Sequence, residues 1–576
     1  MVKESQTEIQ GGVRVARVQK PMAVSGAPCV PPETQGDEAD SGSGSVPVRE
    51  ASQPCRVYPE DYETLQGDNG PYSGSEYLSV SSKSAASFFK KGESFRTGQR
   101  EAIEKIEAAF QRGHKFVIYE GLVGSGKSWI NMALAEKYGY TNVLTVQKIL
   151  QSQYAKDFPN VAIMMGRSAY PCKVGGNCSM GLCRADPKLK HSDCAYTQAL
   201  KKAISSPITV HNFDSYYYQG LHIDFGYRNL LVVDECASLE PKFLQFMEFS
   251  ISNYRNPLLK IPNFGTLEMY DFFLRQQLSE FQDEYDSLEG SGDKNAIRRR
   301  DDLGNIIMKL NKYFFYRAGT EYVFEYKDMG GHQTLMVKPV LVGNFVKDFL
   351  LEKAERVLMT SATILSKKLF CDSIGVDPEG VVLIKGESTF PAKNRPIFYN
   401  PIGRMGYSYI DRNLPLLVKR IRKLLKAHEG ERGIIQCHSD KIMKYIAGVI
   451  DDPRLTLRSD FASVDDLLKV HELKADSVIV ASGLREGLDL KDDLSRFQII
   501  CKIPYPSMAD KRVARRKELN KFWYIYCTAI MLIQMLGRSV RSEVDTAVTY
   551  ILDGDFERFS GMASKLIPGY IKEAFK

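Results

Sequence analysis

The sequence predicts an α/β fold built on two parallel-sheet domains, and three observations predict it. From Phe95 onward, short apolar runs alternate with amphipathic stretches of helical length. A glycine-rich loop, Gly121-Leu122-Val123-Gly124-Ser125-Gly126-Lys127-Ser128, sits between one such run and one such stretch. The alternation stops near Glu240 and restarts in a second set near Arg395. Strands alternating with helices argue a parallel sheet covered on both faces.

Residues 1–75 stand apart from this pattern. Pro, Gly, Ser and acidic residues dominate from Ser25 to Gly74, around Ser41-Gly42-Ser43-Gly44-Ser45. Such a composition cannot bury enough apolar surface to offset chain entropy, so a disordered tail is expected, with an unidentified protein partner as its candidate role. The first sheet domain is expected over 76–165, 201–240 and 336–390. Its helices are Arg100 to Gln111, Trp129 to Lys137 and Lys148 to Lys156; its strands include Lys115-Phe116-Val117-Ile118-Tyr119, Asn142 to Val146, Pro207 to Val210, Leu230 to Val233 and Arg356 to Thr363. Two segments interrupt it. Residues 166–200 are cysteine-rich. Residues 241–335 carry Leu274, Leu278, Phe281, Tyr285 and Leu288, then, after Gly290-Ser291-Gly292, Ile297, Ile306, Ile307, Leu310 and Phe314, which reads as a helical hairpin packed along its apolar stripe. The second sheet domain takes 391–576, with strands at Gly433 to Cys437, Ser477 to Ala481, Gln498 to Cys501 and Ala547 to Leu552. It has no glycine-rich loop of its own.

The chain has 576 residues, 43% apolar and 26% charged, with a formal net charge of +7. That is the composition of a globular multidomain protein with a mild basic bias, which permits a polyanionic partner without demanding one. No apolar run reaches bilayer length and no secretory pattern is present, so no membrane association is expected. The expected location is cytoplasmic, for a bacterial protein or a viral one in its host, or nuclear. The eleven cysteines then read as thiols or metal ligands rather than disulfides.

The glycine-rich loop matches G-x-x-x-x-G-K-[ST], with a strand before it and a helix after it. Gly121, Gly124 and Gly126 let backbone N–H groups, with that of Ser125, approach phosphate oxygens at a helix N-terminus. Lys127 would reach the β and γ phosphates of ATP, and the Ser128 hydroxyl would ligate Mg²⁺. Leu230-Leu231-Val232-Val233-Asp234-Glu235 supplies the acidic partner: a buried strand with carboxylates at its carboxyl end. Asp234 would hold the Mg²⁺, and Glu235 would orient or deprotonate the attacking water.

Four of the cysteines, Cys172, Cys178, Cys183 and Cys194, lie within 23 residues, with gaps of five, four and ten. Gly175, Gly176, Gly181 and Asp186 make this a core-poor loop that needs a metal to fold. Four thiolates suit a [4Fe-4S] cluster or a tetrahedral zinc site, and His191 is a substitute ligand in the zinc reading.

Taken together these motifs resemble the superfamily 2 helicases of the XPD/DinG type, over roughly residues 90–560 by motif order. Gln99 stands where the family reads adenine. Asp234-Glu235-Cys236-Ala237 stands for the D-E-A-H box, Thr360-Ser361-Ala362-Thr363 for S-A-T, and Arg485-Glu486-Gly487-Leu488-Asp489 for E-G-x-D. Gln534 to Arg541 matches Q-x-x-G-R-x-x-R. The resemblance implies two RecA-like motor domains closing on ATP and Mg²⁺, with Gly487, Asp489 and Gln534 at the nucleotide and Arg538 and Arg541 as arginine fingers. Gly166-Arg167-Ser168-Ala169-Tyr170-Pro171-Cys172 resembles the lead-in of iron–sulfur helicases, which implies [4Fe-4S] over Zn²⁺. The implied activity is an ATP-dependent DNA helicase moving 5′ to 3′ on single-stranded DNA and opening forked duplexes, with the cluster in an arch region. Gln147, Arg167 and Asn212 are the implied backbone contacts. Basic clusters at Arg420, Arg422, Lys423 and Lys426, at Lys511, Arg512, Arg515, Arg516 and Lys517, and at Arg298-Arg299-Arg300 are further candidates, and Tyr170, Tyr196, Phe213, Tyr216 and Tyr217 are candidates for base stacking. The departure at Cys236-Ala237 keeps two other readings open: a DNA-stimulated translocase or remodeller that does not unwind, and an ATP-switched DNA-binding module.

Overall fold

The computed structural model describes residues 80–576 apart from 90–93, 123, 147, 174–175, 182, 184–190, 192, 221–222, 255–258, 388–389 and 484–489. The N-terminal tail expected over 1–75 lies outside the described residues.

The first sheet domain opens with α1 (Gln99–Gln111), β1 (Phe116–Glu120), α2 (Lys127–Tyr138), β2 (Thr141–Thr145), α3 (Lys148–Asp157) and β3 (Ala162–Met164). A two-strand ladder, β4 (Pro171–Cys172) with β5 (Gly176–Asn177), marks the cysteine-rich loop. The chain returns through α4 (Ala195–Ser205), β6 (Ile208–Asn212), α5 (Phe213–Gly220), β7 (Arg228–Asp234) and α6 (Leu239–Met247). Next come β8 (Phe249–Ser252), the helical pair α7 (Leu267–Ser287) and α8 (Lys294–Tyr316), and the hairpin β9 (Tyr322–Met329) with β10 (His332–Pro339). The domain closes with α9 (Gly343–Phe349), β11 (Ala354–Ser361), α10 (Lys367–Ile374) and β12 (Val381–Lys385).

The second domain runs β13 (Ile397–Gly403), α11 (Ile410–Ala427), β14 (Gly433–Gln436), α12 (Asp440–Val449), β15 (Leu455–Leu457), α13 (Val464–Leu473), β16 (Val478–Ala481) and β17 (Phe497–Ile500). It ends with α14 (Lys511–Leu519), α15 (Lys521–Leu536), β18 (Val548–Asp553), α16 (Asp555–Met562) and α17 (Gly569–Lys572).

Both large sheets are parallel. The first has the order β12-β1-β11-β7-β2-β6-β3 and the second β13-β18-β17-β14-β16-β15. Strands β2, β6 and β7 are buried along their whole length, as expected of a sheet covered on both faces. The order matters for the site. Strand β11 lies between β1 and β7, with Glu120 opposite Ser361 and Thr360 opposite Asp234. The loops after these three strands therefore open at one edge, the carboxyl edge where parallel sheets bind ligands.

The segment 241–335, read from sequence as helical, also carries an antiparallel sheet of order β8-β10-β9. The β9–β10 turn is Gly330-Gly331, at φ of 65° and 91°. Two successive left-handed residues suit a tight hairpin, and glycine accepts them without a Cβ clash. Tyr270, Phe273, Leu274, Leu310 and Tyr313 pack the helical pair onto Leu335 and Val337 of this sheet. The largest apolar cluster is shared by the two domains: Val233, Leu239, Phe243 and Phe246 join Tyr526, Ala529, Leu532 and Ile533 of α15.

Candidate nucleotide site and cysteine cluster

The P-loop lies between β1 and α2. Gly124 and Gly126 take φ of 78° and 73°, conformations that only glycine adopts at no steric cost. A Cβ on Gly124 would lie 2.8 Å from the Arg541 carbonyl oxygen and 2.9 Å from the Phe390 ring. The P-loop and the Q-x-x-G-R-x-x-R segment of the second domain are thus in close approach. Arg96 donates to the Gly124 carbonyl at 2.5 Å, and the Gln99 amide, which accepts from the Arg96 N–H at 2.7 Å, donates to the Gly126 carbonyl at 3.3 Å.

Lys127 reaches back along the loop. Its ammonium donates to the Gly121 carbonyl at 3.2 Å and lies 3.5 Å from the Glu235 carboxylate. Asp234 sits deeper and is clamped on both oxygens: Tyr154 donates to Oδ2 at 3.1 Å and Thr360 to Oδ1 at 3.1 Å. Asn131, one turn beyond Lys127, donates to both the Tyr154 and Thr360 hydroxyls, and Ser128 also hydrogen-bonds Tyr154. Burial, and then the neighbouring Glu235 charge, push the Asp234 carboxyl up to about 6, against the pull of Lys127. A buried carboxylate with a second beside it is a site that gains from a cation. The residues therefore fit Mg²⁺ at Asp234 and Ser128.

The S-A-T segment ties these parts together. Ser361 donates to Glu235 at 3.2 Å. Glu120, at the root of the P-loop, accepts the Ile364 and Leu365 N–H groups at 2.7 Å each, which holds Leu365 at φ 58°. From the second domain, the Gln534 amide donates to Thr363 at 3.4 Å. Arg538 is buried, and the Arg541 N–H donates to Asp545 at 3.0 Å. Gly487 and Asp489 lie outside the described residues. Asn131, Tyr154, Glu120 and Phe390 were not anticipated from sequence. A polar Asn131 inside the apolar helix α2, four residues after Lys127, was the available signal; the long-range partners of Tyr154 and Glu120 had none.

The four cysteines gather beside β4–β5. A Cβ on Gly181 would lie 2.9 Å from the Cys172 sulfur and 3.3 Å from that of Cys183. Burial raises the Cys178 and Cys183 thiols, and the other cysteines raise them further. Arg167 opposes this: its guanidinium is 3.9 Å from the Cys178 sulfur and lies over the Tyr196 ring at 4.3 Å. The neighbouring sulfurs, a glycine where a side chain would intrude and one nearby cation fit a thiolate-ligated group. Among the described residues no three His, Cys, Asp or Glu side chains close on a single ion position.

The nucleic-acid candidates divide. Arg167 is half-buried, Asn212 is buried with its amide donating to the Val146 carbonyl at 3.2 Å, and Gln147 lies outside the described residues. The stacking candidates are corrected: Tyr170, Tyr196, Phe213, Tyr216 and Tyr217 are all buried in the first core. In the basic run 511–517, Arg512 and Arg516 are buried, Arg515 and Lys517 partly exposed and Lys511 exposed. Arg299 forms a bidentate pair with Glu284 at 2.6 and 2.7 Å, and Arg300 pairs with Glu289 over the Tyr285 ring, so both knit the helical pair together. Arg298, Arg422, Lys423 and Lys426 remain exposed.

Among the described residues no helix is long and apolar enough to cross a membrane. Residues 93–263 match the family model for the type III restriction enzyme res subunit, and residues 421–573 that for a helicase C-terminal domain. No curated protein matches the chain. Among solved structures, one titled XPD helicase aligns with TM-score 0.60 at 16% identity, covering 82% of this chain and 98% of that one. An apo XPD structure aligns with TM-score 0.58 at 15% identity, over 80% and 97% of the two chains. Xpd4 of S. tokodaii aligns with TM-score 0.52 at 14% identity, over 84% and 99%.

Proposed function

We propose that this chain is an ATP-dependent helicase of the XPD/DinG type of superfamily 2, in keeping with its two family-model matches and its fold, and that it acts on DNA, moving 5′ to 3′ along a single strand and opening forked duplexes. One observation carries the reading. The P-loop, Asp234-Glu235 and Thr360 to Thr363 meet at one sheet edge, and the Gln534 to Arg541 segment of the other domain lies against that edge.

The residues divide the work as follows. Gly121, Gly124, Ser125 and Gly126 cradle the phosphates, with Gln99 toward the base. Lys127 leaves Glu235 for the β and γ phosphates, which frees Glu235 to take a proton from the attacking water. Asn131, Tyr154 and Thr360 keep both Asp234 oxygens oriented, and Ser361 does the same for Glu235. Mg²⁺, held by Asp234 and Ser128, would supply charge neutralisation of the phosphates. Arg538 and Arg541 stabilise the charge that develops in the transition state. Gln534 links the state of this site to Thr363. Gly487 and Asp489 are assigned to the same site by motif.

Cys172, Cys178, Cys183 and Cys194 would hold a [4Fe-4S] cluster, with Zn²⁺ the alternative, and such a group would cross-link a loop that has little core of its own. Arg167, Asn212 and Gln147 are the proposed strand contacts, and the α7–α8 pair with the cysteine loop is the proposed arch. ATP hydrolysis measured with and without single-stranded DNA tests the reading. Stimulation that Lys127→Ala abolishes is expected; hydrolysis indifferent to DNA would overturn it.

A further inference from the structure

The basic helix α14 turns two of its arginines, Arg512 and Arg516, inward rather than toward solvent. Arg512 and Arg516 both donate to Glu240 Oε1, at 2.6 and 3.1 Å, and the Trp523 indole N–H donates to Oε2 at 3.0 Å. The Glu240 side chain is only 11% exposed and the two arginine side chains 5%. Around this centre Arg512 also donates to the Pro339 carbonyl at 3.0 Å, Lys338 donates to Asp510 at 2.7 Å, the Lys511 N–H donates to Glu325 at 2.7 Å and Arg515 pairs with Glu321 at 2.7 Å. The seam therefore joins α6 and the β9–β10 hairpin of one domain to α14 and α15 of the other.

Its position in the chain is what gives it a role. Glu240 lies in the first turn of α6, five residues beyond Glu235. Glu235 is itself left-handed at φ 55°, and between it and Glu240 runs a short 3-10 turn, Cys236–Ser238, which leaves little slack. On the far side, Trp523 sits at the start of α15, whose 16 residues make a rod about 24 Å long. That rod ends at Leu536, directly before Gly537-Arg538, and Gln534 in its last turn touches Thr363. The α15 helix is thus pinned at one end through Glu240, next to the acidic pair, and at the other by the S-A-T segment at the nucleotide. Charge-assisted bonds on both carboxylate oxygens, away from water, are directional and resist salt.

We propose that Glu240 is a positioning residue that couples the nucleotide site to the second motor domain: displacement of Asp234-Glu235 passes through the first turn of α6 to Trp523, and along α15 to Arg538. This rests on the motor reading above. A merely adhesive contact would change stability alone. A coupling contact changes the ratio of DNA-stimulated to basal hydrolysis in protein that is still folded.

The test uses the full chain. For Glu240→Gln, basal ATP hydrolysis and KM for ATP stay within about twofold while DNA stimulation falls about tenfold, the span of an ordinary coupling energy, and Glu240→Asp recovers part of it. Trp523→Phe, which removes one donor and keeps an aromatic ring, gives the same loss in smaller measure and serves if Glu240→Gln does not fold. Folded variants with wild-type stimulation would overturn the proposal. A wild-type protein without stimulation would instead overturn the motor reading on which it rests, so the two failures are read on different proteins.

Discussion

Asp234, in the proposed nucleotide site, is held by residues that are not themselves assigned to a phosphate. Tyr154, Thr360 and Asn131 fix its two oxygens before any cation arrives, while Glu235 is steadied by Lys127 and Ser361. Glu235→Gln should therefore keep ATP binding, read with a fluorescent analogue, and lower kcat by about 10²- to 10⁴-fold, the usual worth of a general base. A second residue is set apart by acid. His211 is fully buried on β6, between the Tyr216 and Phe225 rings and near Arg228, and neither ring nitrogen has a partner among the described residues. Burial, then the Arg228 charge, push it down to about 3 from 6.5. The unfolded chain then binds a proton that the folded chain refuses, so stability is present above pH 6.5 and lost as pH falls from there toward 3. Between pH 8 and pH 5 this amounts to about 2 kcal/mol. In chemical denaturation, His211→Leu should lose that share of the acid sensitivity; an unchanged pH dependence would contradict the buried neutral imidazole.

At the scale of elements, legibility followed local chemistry. Strands such as β1, β7 and β11 were readable because apolar runs end in a loop with a recognisable task, and the α7–α8 pair because its apolar positions repeat at helical spacing around Gly290-Ser291-Gly292. The hairpin β9–β10 was missed although Gly330-Gly331 marks its turn, because the surrounding helices set the expectation. The basic helix α14 was misjudged for a different reason: Arg512 and Arg516 look like a phosphate strip in sequence, and their partner Glu240 lies 272 and 276 positions away. The cysteine loop makes an element-scale prediction. Protein purified without oxygen should carry about four irons per chain. Cys178→Ser should lose them, expose residues 166–195 to limited proteolysis and leave DNA-independent hydrolysis in place. A protease-resistant loop without metal would contradict the view that the bound group holds it.

Across the whole molecule, the described polar contacts that join the domains, beside the shared apolar cluster, fall at two places of different character. On the nucleotide side they include a Gln534–Thr363 bond and the Arg541 carbonyl near Gly124. Around Glu240 they are buried and multiple. Burial around Glu240 also sorts the cations. Each strand phosphate neutralised contributes about 0.7 to the slope of log affinity against log salt for a single strand. Arg515→Ala, which loses only the Glu321 and Glu518 pairs, should leave that slope unchanged. Arg167→Ala should reduce it by about 0.7.

The proposed motor opens DNA from a 5′ tail, and strand displacement on matched duplexes with a 5′ or a 3′ single-stranded tail, with ATP and Mg²⁺, reads that action itself. ATP-dependent displacement is expected from the 5′-tailed duplex, none from the 3′-tailed one, and none with Lys127→Ala. DNA-stimulated hydrolysis with neither duplex opened, or opening from the 3′ tail, would contradict it.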